Sequence, residues 1–173
     1  LALELEADRM TNLTLDEAEF KQEIKVVMEE RRQRTDDSPQ GLAFERFQSV
    51  AMLTTPTRNP TIGWMSDLEN MKIDDLRQWY KKWYAPNNAT LVVVGDVKTE
   101  EVKKLAAHYF GKIPTQNLPS LTVPKELRAI GERQISLELP AKVANLYLGF
   151  NVPSLTSATN PKEAYALSML LGV

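Results

Sequence analysis

Glu23 and Glu30 are the residues of this chain whose type and spacing best suit chemistry. The stretch 14–34, TLDEAEFKQEIKVVMEERRQR, contains no Gly or Pro and reads as one helix. Thr14 is placed to cap its start, with Glu17 completing a capping box. At about 100° per residue, Glu30 returns to within about 20° of Glu23, two turns further on. Val27, Phe20 and Ile24 fall roughly 40°, 60° and 100° to one side of Glu23, and Val26 roughly 60° to the other. Two carboxylates thus stack inside an apolar arc, where charges are rarely placed without a partner. Lys21, Lys25, Glu29 and Arg32 already supply a polar face. Two readings stay open. The pair is compensated by Arg or Lys from another helix, or one carboxylate ligates a metal ion and the other supports it, because such sites need deprotonated oxygen donors on rigid elements. Glu-x6-Glu is common on helices and does not choose between them.

Other candidates are weaker. His108 is the sole histidine, so the chain holds no two-histidine zinc site of its own, and a packing or surface role fits it better. A Ser–His–Asp arrangement would need His108 as its base, and no G-x-S-x-G elbow is present. Phosphate-loop and dinucleotide glycine patterns are missing. The run Glu29-Glu30-Arg31-Arg32-Gln33-Arg34 reads as a solvated helix end, its cations well placed near a C-terminus. Trp79, Tyr80, Trp83 and Tyr84 could form a stacking platform, but their helical spacing reads as core packing.

Composition narrows the classes. The 173 residues are 43% hydrophobic with a net charge of −2, enough for one globular core and the beginning of a second. The charge balance argues against nucleic acid as a partner. No cysteine is present, which excludes disulfides and thiolate metal sites. No run of 18 apolar residues suggests a membrane span. The chain opens mid-pattern at Leu1 and stops mid-pattern at Val173, and so reads as a fragment.

The elements that must position the glutamates follow in order. Residues 1–10 read as the end of a helix, and Ser38-Pro39 opens another through about 52, with Phe44, Phe47 and Ala51 expected in the core. A two-proline loop covers 54–63. An aromatic-rich helix follows at 74–84, a β-branched strand ATLVVVGD at 89–96, and an amphipathic helix at 98–110 stopped by Gly111. Helices with a strand indicate an α/β or α+β layer. Residues 115–130 carry two prolines and little periodicity, and read as a linker. Two strand-like runs, 132–140 and 144–153, lead through a loop to a helix from about Pro161.

Several ordered blocks carry a resemblance: ALELEADRM, FKQEIKVVMEERR, PTIGWMSDLENM, DLRQWYKKWYAPNNATLVVVGDV and YFGKIP. Together they are similar to the inverted-motif zinc peptidases of the pitrilysin/insulinase family, especially bacterial processing-peptidase-like members built of two homologous halves. The similarity covers essentially the whole chain, more weakly over 133–151. It implies an α+β fold class: a two-layer α/β domain of the pitrilysin/insulinase-type metalloenzyme fold, with helices packed on a mixed sheet. The implied domains are 1–114, the C-terminal part of the first, catalytic-type peptidase domain; 115–130, a linker; and 131–173, the start of the second homologous domain.

In that family a helix carries H-x-x-E-H, whose histidines bind zinc and whose glutamate activates water, and a later helix supplies a third ligand, a glutamate. By motif position the resemblance makes Glu30 that zinc ligand and Glu23 its supporting carboxylate. It implies a Zn2+-dependent metalloendopeptidase acting on peptides or unfolded protein, with a second homologous half or partner subunit. A periplasmic or cell-envelope location follows from similar bacterial proteins. H-x-x-E-H itself is not in this sequence, so the chain alone is expected to be inactive and metal-free. Where the family often shows His-Pro-Tyr before the PTIG-like stretch, this chain has Thr55-Pro56-Thr57. The family's substrate-gripping Arg and Tyr would lie beyond Val173. The family also contains non-catalytic homologues that serve as partner or structural subunits, and this is the alternative function. A plain interaction module is a third reading, but it leaves the carboxylate stack unexplained.

Overall fold

The computed structural model describes residues 1–128 and 130–172. Seven α-helices form among them: α1 (Ala2–Asn12), α2 (Glu17–Arg31), α3 (Pro39–Ala51), α4 (Met65–Asn70), α5 (Ile73–Trp83), α6 (Thr99–Tyr109) and α7 (Pro161–Leu170). Each expected helix is present. The short helix α4 is an addition, formed inside the PTIGWMSDLENM block.

The chain divides into two compact units, Leu1–Arg34 with Pro60–Val123, and Thr35–Asn59 with Pro124–Val173. In the first unit α1 lies against α6 and α2 against α4. Its buried apolar side chains include Ala7, Leu68, Ile73 and Ala85. Tyr80 on α5 ties the α1–α2 connection into this unit: its hydroxyl donates to the Arg9 carbonyl at 2.7 Å and accepts from the Leu13 N–H at 3.4 Å. Arg77, one turn earlier, donates to the Leu15 carbonyl at 3.0 Å.

In the second unit Ser38 caps α3, accepting from the Gly41 N–H at 3.1 Å, with Pro39 in the first turn as expected. Arg133 closes the other end, donating to the Ala51 carbonyl at 3.0 Å, where a cation meets the negative end of the helix. Phe44, Phe47 and Tyr147 form a ring cluster with centroids 5.9–6.2 Å apart. Phe44 is nevertheless half exposed, so the core position expected for it is not realised.

The expected α+β architecture is not what forms. Among the described residues there is no strand and no sheet, and the molecule is helical. The runs 89–96, 132–140 and 144–153 lie outside regular structure. A helix satisfies its backbone within itself, whereas a strand needs a neighbour to take its N–H and C=O groups. These runs have none among the described residues, and their β-branched side chains stay in solvent: Val92 is 75% and Val94 92% exposed. The strands expected there do not form, because β propensity is a local character that does not by itself create a ladder.

Candidate functional site

Helix α2 is held at both ends, which makes it a rigid carrier for its carboxylates. Its N-cap is Asp16, not Thr14: the Asp16 carboxylate accepts from the Ala18 N–H at 2.8 Å and the Glu19 N–H at 3.0 Å. An ionised acceptor in contact with two free N–H groups at the positive helix end outcompetes a hydroxyl two residues earlier. At the far end Arg31 is buried, 3% exposed, and its Nη1 donates to the Gly63 carbonyl at 2.9 Å. Its guanidinium carbon lies 6.0 Å from the centre of the Trp64 ring. Gly63 can meet it because the turn Pro60–Gly63 closes with a 2.9 Å hydrogen bond and puts Gly63 at φ +91°. Beyond Arg31 the helix does not stop but widens into a π-helical turn, Arg32–Asp36.

The glutamates do not occupy the buried arc that periodicity predicted. Glu23 is exposed, and Glu30 is half-buried with its side chain 41% exposed. Val26, expected on the same apolar arc, is itself 57% exposed. The arc is real as a sequence pattern, but the described residues cover only part of it. Glu30 is paired within its own helix end, Arg34 Nη1 standing 2.9 Å from Glu30 Oε1. Glu29 pairs with Arg32 at 3.1 Å and Glu17 with Lys21 at 2.6 Å. All these partners are solvent-exposed, and exposed pairs of this kind hold their side chains weakly.

Seven residues of helix place the Glu23 and Glu30 backbones about 10.5 Å apart along the axis. Two donors on one ion would have to bend towards each other over that distance. One donor with the other behind it needs no such distortion. An open catalytic zinc site takes three protein ligands and a water. Among the described residues no three His, Cys, Asp or Glu side chains come together in a way that could hold a metal ion. His108 is on the last turn of α6, exposed, its ring edge-on to Tyr109 at 4.8 Å. The described residues thus do not assemble a metal site by themselves.

An apolar groove of about 590 Å³ lies elsewhere in the first unit, lined by Met10, Trp79, Trp83, Tyr84 and Leu121 among others, and by neither glutamate. The aromatic set on α5 is thus not a closed core: Trp79 is 55% exposed, and Tyr80 stacks on Tyr84 at 4.9 Å. Two arrangements escaped the sequence reading. Arg31 looked like one of several solvated cations, and Glu126 lay in a stretch without periodicity. Both are made by contacts across 32 or more residues, for which the sequence holds no local signal.

A protein-family model described as peptidase M16 inactive domain matches residues 70–173, which leaves α2 outside the matched stretch. The chain is 34% identical over 174 residues to the zinc protease PqqE of Helicobacter pylori, covering 99% of this chain and 39% of that protein. It is 33% identical over 101 residues to the probable zinc protease PqqL of Escherichia coli, covering 58% of this chain and 11% of that one. A third relative, subunit 1 of the mitochondrial cytochrome b-c1 complex of Rattus norvegicus, is 25% identical over 111 residues, covering 64% of this chain and 23% of that subunit. Among solved structures, a protease from Helicobacter pylori superposes with a TM-score of 0.62 at 38% identity, covering 73% of this chain and 30% of that one. The periplasmic protease PqqL superposes at 0.64 and 24% identity, covering 73% and 14%. This chain thus spans well under half the length of these relatives.

Proposed function

The chain belongs to the peptidase M16 family, and from that premise we propose that it is part of a zinc metalloendopeptidase in which Glu30 is the third protein ligand. The observation that carries the reading is Glu30 itself. It is a half-buried carboxylate on a helix fastened at both ends, paired with the exposed Arg34. Glu23, two turns earlier on the same helix, is the supporting carboxylate. Supporting groups of this kind orient a ligand without touching the metal. Two histidines from outside these 173 residues would complete the donor set. Bound there, zinc would supply Lewis-acid chemistry, a water of lowered pKa and a polarised scissile carbonyl.

On the same reading, residues 1–114 close the catalytic-type domain, 115–130 link, and 131–173 begin the second homologous domain. The substrate is a peptide or unfolded protein segment, and a second homologous half or partner subunit completes the working unit. A periplasmic or cell-envelope setting fits the kinship with PqqL of Escherichia coli, a periplasmic protease.

The test is zinc content and peptide cleavage in the full-length protein. Glu30→Gln should lose both, and Glu23→Gln should keep its fold while weakening zinc affinity by roughly 10–100-fold. Normal zinc content and cleavage by Glu30→Gln would remove the ligand assignment.

A second reading is a non-catalytic homologue acting as partner or structural subunit. The matched family model, an inactive domain, favours it, as does the kinship with subunit 1 of the mitochondrial cytochrome b-c1 complex. A full-length protein without H-x-x-E-H, binding no zinc, would establish it.

A further inference from the structure

In the second unit, one carboxylate gathers an unusual number of donors. Glu126 Oε1 accepts from the Leu53 N–H at 2.8 Å, and Oε2 accepts from the Thr54 and Thr55 N–H groups, each at 3.1 Å. The Thr55 hydroxyl also donates to Oε2 at 3.1 Å. Next to it, Thr54 Oγ1 donates to the Lys125 carbonyl at 2.7 Å, so the backbone before Glu126 is held as well.

The loop is shaped for this from its own side. It leaves the C-terminal end of α3, where Met52 N–H returns to the Gln48 carbonyl at 3.0 Å. Gln48 Nε2 donates to the Thr57 carbonyl, and Arg58 Nη1 to the Leu53 carbonyl at 2.8 Å. Three successive N–H groups turned to one side form a concave anion receptor. The receptor is filled by the chain's own carboxylate, from a segment more than 70 residues downstream.

We propose that Glu126 is a latch: its carboxylate, seated on the N–H groups of Leu53, Thr54 and Thr55, fastens the end of the linker to the loop after α3. From Lys125 onward the chain is then tied to α3, within the second unit that resumes at Pro124. The latch explains why a segment without secondary structure or hydrophobic periodicity has a defined place. Backbone hydrogen bonds to a carboxylate replace both. It stands apart from the metal-ligand reading, since it uses no residue of α2.

Amide exchange and limited trypsin digestion of the intact protein test it. In the wild type the amides of Leu53, Thr54 and Thr55 should be protected. Glu126→Ala should speed their exchange by roughly ten-fold or more, as expected for loss of charge-assisted hydrogen bonds, with the α3 interior unchanged. Should Glu126→Ala also release α3, Glu126→Gln decides, with an intermediate loss confined to residues 53–55. Thr54→Val leaves the Lys125–Glu126 bond chemically unaltered but frees its carbonyl, and should raise tryptic cleavage there several-fold relative to Lys112. Amides 53–55 exchanging equally fast in wild type and Glu126→Gln, or unchanged cleavage at Lys125 in Thr54→Val, would overturn the latch.

Discussion

Arg31 Nη1 donates to the Gly63 carbonyl at 2.9 Å, a contact that fastens the end of α2 that carries Glu30 to the turn preceding α4. A buried guanidinium is a rigid fork, and its stem also packs on apolar surface. Arg31→Ala should therefore destabilise the first unit by about 1.5–3 kcal/mol, the range for hydrogen bonds to charged groups. Arg31→Lys should recover only part of this, because a point charge on a flexible stem does not reproduce the fork. Urea unfolding of the variants checks both expectations.

Gly63 accepts that bond from a left-handed backbone, φ +91°. A methyl group there would meet nothing closer than Leu68 Cδ2 at 3.7 Å, so space is not the constraint. Conformation is. Gly63→Ala should cost about 1–2 kcal/mol from the left-handed penalty alone, and it should speed amide exchange at the end of α2. A neutral effect in denaturant unfolding would show that the turn relaxes freely.

In the Glu30–Arg34 pair the arginine is exposed and the carboxylate only half-buried, so the pair should contribute little to folding. Arg34→Ala is expected to change stability by less than about 1 kcal/mol. In the full-length protein it should leave zinc content intact, in contrast to Glu30→Gln. Loss of zinc in Arg34→Ala would show that the arginine, rather than the carboxylate alone, builds the site.

The N–H of Leu53 first, then those of Thr55 and Thr54 and the Thr55 hydroxyl, hold the Glu126 carboxyl down to about 2 from the usual 4.5, against an opposing desolvation effect. A carboxyl whose folded pKa is depressed contributes stability above its unfolded pKa and loses it as pH falls through the folded value. The latch should thus be fully engaged above about pH 4.5 and released progressively towards pH 2. Amide protection at residues 53–55, followed from pH 6 to 2, checks the window. In Glu126→Gln this pH dependence should vanish.

The sequence by itself determined every helix but the short α4, because a helix closes its hydrogen bonds within a few residues. Ser38-Pro39, Gly111 and Pro161 marked starts and stops, and the spacing of Glu23 and Glu30 placed both on one face of α2. The ordered blocks also carried the family. Burial and partnership were decided only by the tertiary structure. Periodicity placed Glu23 and Glu30 in an apolar arc, but an arc is buried only where another element covers it, and Glu23 stands exposed. The β-branched run at 89–96 has strand character, yet a ladder needs a second chain segment, and none pairs with it among the described residues. Arg31 on Gly63 and Glu126 on residues 53–55 join positions 32 to more than 70 residues apart. Such contacts depend on which polar groups folding brings within about 3 Å, a distance that no local pattern encodes.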